Sequence, residues 1–290
     1  MDITTGSTFL SPDTIQQAVS VLRDLDGAGV PLAGATWISR AATRCETPPG
    51  TYVSLAGIAS LHEIHIDARQ VSIGSLATHA GIAEALTGCK DLQALAMAAG
   101  MSATPAIRRV ATIGGNICTT AFAPADLVPP LLVLDAEVEI QGSGGTAILP
   151  VAEFMSQRRD RAPSDLVCRI IIPRPARRSA HARLTLRKAG EYPVAHVSIA
   201  VATDALDRIA EAAIAVGSVE ATARRWPALE AAIVGLAPDP AEMKQVAVAH
   251  LKDFTGRDAV DAPGWYRERV LPGLVARAFQ ALADSEGGAS

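Results

Sequence analysis

The segment from Thr104 to Asp126 most constrains how this chain can fold, because it combines two adjacent glycines with many small and hydroxyl-bearing residues. Gly114 and Gly115 lack Cβ atoms where a ligand would approach the main chain, and their N–H groups are suited to bind an anion such as a pyrophosphate. Asn116 and Asp126 add groups that can hydrogen-bond a ligand, the carboxylate being suited to sugar hydroxyls. The alternative is a tight turn between two apolar segments, and a short glycine motif alone does not decide between the two.

Two earlier stretches repeat the pattern of a strand followed by small or hydroxyl-bearing residues. The first runs from Val30 through a turn of alanine, glycine and threonine to Ile38, and it is either a second anion site or a simple strand-to-helix turn. The second ends a strand at Gly74 and Ser75, and Thr78 is placed to cap the following helix.

Composition narrows the class of protein. The chain has 290 residues, 49% of them hydrophobic and 19% charged, which predicts a globular protein of two or three domains with a sizeable core. A net charge of −4 provides no basic field for nucleic acid. The amino terminus has an acid where a secretory signal would be positive, and no apolar run approaches about 18 residues. We therefore expect a cytoplasmic protein without a membrane span or a nucleic-acid partner.

Some candidate sites have a simpler interpretation. The four cysteines are widely spaced without a Cys-x-x-Cys pair, so we expect buried apolar side chains and no metal site. His62 and His65 are expected on the solvent side of a strand, and the basic run Arg174, Arg177 and Arg178 is expected to be a solvated face.

Hydrophobic periodicity predicts the following elements. Ser11 would cap a helix over about 12–26, and the run from Leu131 to Ile140 would be a half-buried strand that enters a hairpin at 142–145. Strands at 184–188, 197–203 and 209–216 precede three helices, which is typical of an α+β domain. The predicted helices span about 220–235, 239–253 and 264–284.

No motif in the chain places a catalytic acid, base or nucleophile. A G-x-G-x-x-G fingerprint after a strand, a Walker loop and a nucleophile elbow are all absent from the sequence. Three small-residue loops without catalytic side chains favour a large phosphate-bearing cofactor that brings its own chemistry.

These motifs together resemble a known family. The segment Ala111–Asn116, followed by Ala123–Asp126, is similar to the second FAD motif of the medium subunit of molybdenum hydroxylases, of the xanthine dehydrogenase and carbon monoxide dehydrogenase type. Leu32–Thr36 resembles the first FAD motif of that family, with Ala35 where the family usually has glycine. The similarity covers nearly the whole chain.

The resemblance implies an α+β chain with a vanillyl-alcohol-oxidase-like FAD-binding domain at 1–175, made of two α/β subdomains at about 1–57 and 58–175. A C-terminal domain of antiparallel sheet and helices would occupy 176–290. The two glycine-containing loops would hold the FAD pyrophosphate from two sides, Asp126 would bind ribityl or ribose hydroxyls, and Val167 and Lys188 would lie near the isoalloxazine or adenine. The implied FAD contacts are Leu32, Ala33, Gly34, Ala35, Thr36, Trp37, Gly74, Ser75, Thr78, Ala111, Thr112, Ile113, Gly114, Gly115, Asn116, Ala125, Asp126, Val167 and Lys188.

The resemblance also implies partners. In this family the flavin receives electrons from two-iron two-sulfur clusters on a small subunit, which receive them from a molybdopterin centre on a large subunit. We therefore expect those two subunits in a heterotrimer or its dimer, with NAD or another acceptor taking the electrons. The alternatives are a free-standing flavin oxidoreductase of the same fold, and a non-catalytic assembly subunit that has lost FAD.

Overall fold

The computed structural model describes residues 7–186 and 192–287. The first sheet is parallel, in the order β1-β3-β2, and consists of β1 (Thr8–Leu10), β2 (Gly29–Leu32) and β3 (Thr51–Ser54). Helix α1 (Ile15–Asp24) connects β1 to β2 and buries one apolar face. Its N-cap is Thr14 and not the predicted Ser11, because the Thr14 hydroxyl accepts from the Gln17 N–H while the Gln17 side chain accepts from the Asp13 N–H.

The second sheet is antiparallel, in the order β4-β5-β8-β6-β7. Its strands are β4 (Ile64–Ile66), β5 (Gln70–Gly74), β6 (Glu137–Gly142), β7 (Gly145–Pro150) and β8 (Leu166–Pro173). The helices in this part of the chain are α2 (His79–Ala85), α3 (Gln93–Met101), α4 (Pro105–Arg108), α5 (Ile113–Cys118), α6 (Val128–Val133) and α7 (Val151–Gln157). The predicted hairpin is confirmed, since β6 and β7 pair up to Gly142 and Gly145.

The predicted strand over Leu131–Ile140 is wrong in its first half. Pro129 and Pro130 lie at the start of α6, where a missing N–H costs nothing and a fixed φ favours the helix, so the leucine-rich run is helical. Asp135 then adopts a left-handed conformation with φ of 51°, and β6 begins only at Glu137. A buried helix of continuous apolar residues cannot be distinguished from a buried strand by periodicity alone.

The third sheet is antiparallel, in the order β12-β11-β10-β9. Its strands are β9 (Arg178–Leu184), β10 (Ala195–Thr203), β11 (Ile209–Gly217) and β12 (Arg224–Arg225), and its helices are α8 (Pro227–Ile233), α9 (Pro240–Ala249), α10 (Gly264–Arg269) and α11 (Leu271–Gly287). The predicted strand over 184–188 is therefore shifted toward the amino terminus, and the predicted helix over 220–235 is confined to α8. The helices pack on one face of this sheet, and the opposite face contacts α3 and α6.

The basic run after β8 is not a solvated face. The Arg174 Nε lies 2.7 Å from Asp91 Oδ2 and its Nη2 lies 3.1 Å from Asp91 Oδ1, a bidentate ion pair that ties the end of β8 to the segment before α3. Arg177 is ion-paired with Asp135 at 2.8 Å. Both arginines are therefore ion-paired within the protein, Arg174 to the segment before α3 and Arg177 to the turn between α6 and β6. His62 and His65, in contrast, are exposed as predicted.

Polar groups line the inner face of the third sheet. His181 on β9 lies beside Ser198 on β10, with 2.8 Å between His181 Nδ1 and Ser198 Oγ. The ring of His196 meets the ring of His181 edge-on at 5.6 Å. Burial, and secondarily Arg183, lower the pKa of His181 from 6.5 to about 3, and burial lowers the pKa of His196 as well. Both histidines are therefore neutral in the folded protein at neutral pH.

We expect acid to destabilise the protein through His181. Below pH 6.5 the unfolded chain protonates this ring but the folded chain does not, so stability falls as pH falls, down to about pH 3. From pH 7 to pH 5, the free energy of unfolding in urea should fall by about 2 kcal/mol more in the wild type than in His181→Gln. His65→Gln is the control, because this side chain is exposed, and its free energy of unfolding should fall from pH 7 to pH 5 by as much as that of the wild type. Equal slopes in wild type and His181→Gln would contradict this account.

Candidate functional site

A cavity of about 560 Å³ lies where the loop after β2, the segment around α5 and the chain before β10 converge. Ten of the predicted site residues line it: Ala33, Gly34, Ala35, Thr36, Trp37, Ala111, Thr112, Gly115, Asn116 and Asp126. The fold thus brings the two predicted small-residue loops, which are about 75 residues apart in the chain, to the same cavity.

The loop after β2 presents consecutive backbone N–H groups without an acceptor. In the described ranges, no atom accepts a hydrogen bond from the N–H groups of residues 33–37. Internal bonding resumes at Ser39, whose N–H donates to the Ala35 carbonyl at 2.8 Å. Because backbone donors normally have partners, a run of free N–H groups at a cavity wall is suited to bind an anion.

Two backbone features hold this loop in place. Ala35 has φ of 57°, a left-handed conformation that glycine adopts more readily than alanine. Gly34 packs directly on the segment before α5, since a Cβ at Gly34 would lie 1.8 Å from the Val110 carbonyl oxygen. The first loop therefore depends on the absence of a side chain at residue 34.

The second predicted loop is helical in the structure, since Gly114 and Gly115 belong to α5, and their N–H groups are bonded within the protein. The Gly114 N–H donates to the Ser75 carbonyl at 2.9 Å, and the Gly115 N–H donates to the Thr112 hydroxyl at 3.2 Å. A Cβ on Gly114 would lie 2.8 Å from both Cβ and the carbonyl oxygen of Ser75. The sequence predicted that the glycine N–H groups would face a ligand. The structure instead places Gly114 behind the cavity wall, where it allows α5 to contact the loop after β5.

A buried ion pair connects the cavity to the third sheet. Asp126 Oδ1 lies 2.7 Å from Nε of Arg183 on β9, and the two side chains are only 6% and 8% exposed. Burial raises the pKa of Asp126 from 3.8 to about 6, although the Arg183 charge opposes this shift. The side chain of Asn116 supports the same wall by accepting from the Leu127 N–H at 3.2 Å. The predicted hydroxyl-binding carboxylate is therefore positioned by a residue from a different sheet.

Aromatic side chains form another part of the wall. The ring of Phe122 lies 5.0 Å from the ring of Trp37 and 5.0 Å from the ring of Tyr192. Arg40 donates to the Tyr192 hydroxyl at 2.8 Å, and the Arg44 guanidinium lies 3.9 Å from the centre of the Trp37 ring. The cavity thus has a backbone-polar side and an aromatic side, which fits a ligand with a phosphate part and a planar ring part.

His79 is a cavity residue that the sequence analysis missed. It is buried, its Nδ1 lies 2.7 Å from Ser102 Oγ, and burial lowers its pKa from 6.5 to about 4. The available signal was weak, since His79 simply follows the helix cap Thr78. Phe122, Tyr192 and Arg183 were missed as well, because only the fold brings them beside the two loops.

The remaining predicted residues lie elsewhere. Thr78 caps α2 by accepting from the Gly81 N–H, and Gly74 packs on Leu61, whose carbonyl oxygen would lie 2.3 Å from a Cβ on Gly74. Val167 is a core residue of β8. Those that do not line the cavity are Leu32, Gly74, Ser75, Thr78, Ile113, Gly114, Ala125 and Val167. Lys188 lies outside the described residues.

Comparison with known proteins identifies the family. Residues 4–175 match the model of the FAD-binding domain in molybdopterin dehydrogenase, and residues 180–282 match that of the CO dehydrogenase flavoprotein C-terminal domain. The chain is 30% identical to the carbon monoxide dehydrogenase medium chain of Afipia carboxidovorans, over 93% of this chain and 94% of that one. It is 26% identical to the nicotinate dehydrogenase FAD-subunit of Eubacterium barkeri, over 97% of each chain. A chain of quinoline 2-oxidoreductase from Pseudomonas putida 86 has the same fold, with a TM-score of 0.87 at 23% identity, covering 97% of this chain and 98% of that one.

The chain therefore belongs to the family of FAD-binding subunits of molybdopterin dehydrogenases, and it is an oxidoreductase flavoprotein. The cavity fits this assignment, because its lining combines N–H groups that have no acceptor in the described ranges with aromatic rings, and these match the phosphate and ring parts of FAD. Among the described residues, no cluster of side chains could hold a metal ion, and no helix has the length and apolar character needed to cross a membrane.

Gly34→Ala tests the contact between the two loops. The added Cβ would collide with the Val110 carbonyl and push the loop after β2 away from α5, which should cost about 1–3 kcal/mol of stability. It should also weaken FAD binding at least tenfold, measured by equilibrium dialysis. Gly50→Ala is the matched control, because a Cβ there meets nothing within 4 Å. FAD affinity equal to that of the control would show that the loop contact does not support binding.

Asp126→Asn tests the buried ion pair. Breaking this buried pair by removing Asp126 should cost about 3–5 kcal/mol, and Arg183→Met should have a similar effect. The double variant should lose much less free energy of unfolding than the two single variants lose together. Urea denaturation of the wild type, both single variants and the double variant at pH 8 measures this difference. Asp24→Asn is the control, because its pair with Arg23 is exposed and worth less than about 1 kcal/mol. Additive losses would mean that the two charges do not stabilise each other.

Proposed function

We propose that this chain is the electron-transfer flavoprotein subunit of a multi-subunit molybdenum-containing hydroxylase or dehydrogenase. The observation that carries the proposal is that residues 33–37, whose N–H groups have no acceptor in the described part of the chain, line a cavity of about 560 Å³. FAD supplies the redox chemistry when it is bound, and the protein supplies binding and orientation.

The titratable groups of the cavity support a role in binding over a role in proton transfer. Asp126 is ion-paired with Arg183, and His79 is neutral and lies within hydrogen-bonding distance of Ser102. Both side chains are buried, so neither is presented to a bound substrate as an exposed acid or base. This arrangement favours electron transfer over direct chemistry on an organic substrate.

The site residues take different roles in this proposal. Residues 33–37 would bind the FAD pyrophosphate with their N–H groups, and residues 112–116 would support that loop from behind and contribute part of the wall. Asp126 would accept hydrogen bonds from ribityl or ribose hydroxyls. Val167 and Lys188 stay proposed contacts of the ring or the adenine.

We also propose the assembly that the resemblance implied. An iron–sulfur small subunit would deliver electrons from a molybdopterin large subunit, in a heterotrimer or its dimer, and NAD or another acceptor would receive them in the cytoplasm. Support comes from the names of the relatives, which include an FAD-subunit, a medium chain and the alpha subunit of a dehydrogenase complex. The division into domains at 1–175 and 176–290 stays part of this proposal, and it is supported by the ranges that the two family models match, 4–175 and 180–282.

The experiment compares the isolated chain with the native complex. The isolated chain, loaded with FAD, should gain thermal stability and show flavin absorbance, but organic substrates should not bleach it under anaerobic conditions. The complex purified from the native host should be bleached by its substrate. Turnover of a substrate by the isolated chain would instead identify a free-standing oxidoreductase. A chain that stays colourless in both preparations would identify an assembly subunit without FAD.

A further inference from the structure

A second groove, of about 520 Å³, lies on the helical side of the third sheet. We call it the basic groove and define it by three cations, Lys244 on α9, Arg269 on α10 and Arg277 on α11, around an apolar floor that includes Leu251 and Pro272. It shares no lining residue with the FAD cavity.

The basic groove and the FAD cavity lie on opposite faces of the third sheet. Leu184 lines the groove, whereas Arg183, the preceding residue of β9, pairs with Asp126 at the cavity. Adjacent residues of a strand point to opposite faces of its sheet. An occupant of the groove would therefore not compete with FAD for space.

The three cations of the groove have no partner. In the part of the chain that the structure describes, Lys244, Arg269 and Arg277 make neither an ion pair nor a side-chain hydrogen bond, and none of the groove's lining residues is acidic. Other arginines of the same region are paired, including Arg224 with Glu220, at 2.6 Å. In a chain of net charge −4, three unpaired cations around one groove are suited to an acidic ligand.

The shape of the groove favours an extended ligand. Helices α10 and α11 continue through Val270, because the Val270 N–H donates to Tyr266 and the Leu274 N–H donates to Val270. Arg269, at the end of α10, and Arg277, on α11, therefore line the groove on either side of the junction at Val270. Gly273 lies between them, and a Cβ there would meet nothing within 4 Å, so a ligand can reach the floor at this point.

The groove also has the residues of a protein interface. Val248, which is 55% exposed, adds aliphatic surface to the lining. Trp265, which is 61% exposed, does not line the groove but lies one turn before Arg269. Tyr266 completes the lining. Tryptophan, tyrosine and arginine are the residues most enriched among the energetically important contacts of protein interfaces. An inorganic anion would need none of this apolar surface.

We propose that the basic groove docks an acidic segment of another subunit of the assembly, with carboxylates at the three cations and an aliphatic side chain on the floor near Gly273. This proposal rests on the proposed function, because it needs an assembly. Its occupant is a polypeptide of complementary charge, and the docking contact lies away from the FAD cavity.

The experiment uses the tagged full chain expressed in its native host and purified at low ionic strength. Co-purifying subunits are quantified by mass spectrometry, and FAD by its absorbance in the same sample. Arg269→Glu/Arg277→Glu reverses the groove charge, and Gly273→Phe fills the groove without changing charge. Arg23→Glu/Lys252→Glu is the control, because it changes net charge equally at exposed positions outside the groove.

Both groove variants should retain at least tenfold less of one partner subunit than the control, with the same FAD content and thermal stability as the wild type. Full retention of all partners by the groove variants would overturn the proposal. A loss of self-association with no loss of the partner subunits would also overturn the proposal, because it would identify a second copy of this chain as the occupant. A wild type that carries FAD without any partner would also overturn it, whereas a wild type without FAD would count against the proposed function.

Discussion

Direct backbone contact between three small-residue segments is the constraint on which the cavity depends. Gly34 lies on the Val110 carbonyl, and the Gly114 N–H donates to the Ser75 carbonyl. Side chains at residues 34 or 114 would separate these segments, since interiors are too densely packed to absorb even one additional carbon without cost. The glycines therefore shape the cavity mainly by joining parts of the protein to one another, and this contact leaves the N–H groups of residues 33–37 free for a ligand.

The pair between Asp126 and Arg183 extends this arrangement to the third sheet. A buried charge needs its partner, so the wall that carries Asp126 is stable only when β9 is docked against it. The alanines on the inner face of the same sheet, including Ala200, Ala213 and Ala215, allow the close approach that places Arg183 there. The free energy of docking the third sheet therefore also stabilises the cavity wall that carries Asp126, although the residues involved are far apart in sequence.

Structural features that depend on neighbouring residues could be predicted from the sequence, whereas features that depend on tertiary packing could not. The loop after β2, the cap Thr78 and the β6–β7 hairpin follow from short-range rules and could be predicted, whereas the helix α5 at the second glycine motif was not. The helix α6 could not, because two prolines and a buried leucine run compete with a strand pattern. Arg183 and Tyr192 reach the cavity only through tertiary contacts between distant segments, and no spacing in the sequence indicates them.

Ala35 occupies a left-handed position of the first loop at which the family usually has glycine. The family's usual glycine suits a left-handed residue, and alanine holds the same φ of 57° here at a cost of about 1–2 kcal/mol. The loop nevertheless keeps its free N–H groups and the bond from the Ser39 N–H to the Ala35 carbonyl. The alanine methyl therefore strains the loop without removing the donors that an anion would use. Loss of FAD does not follow from this substitution, because residues 33–37 still line the cavity and their N–H groups still have no acceptor in the described part of the chain.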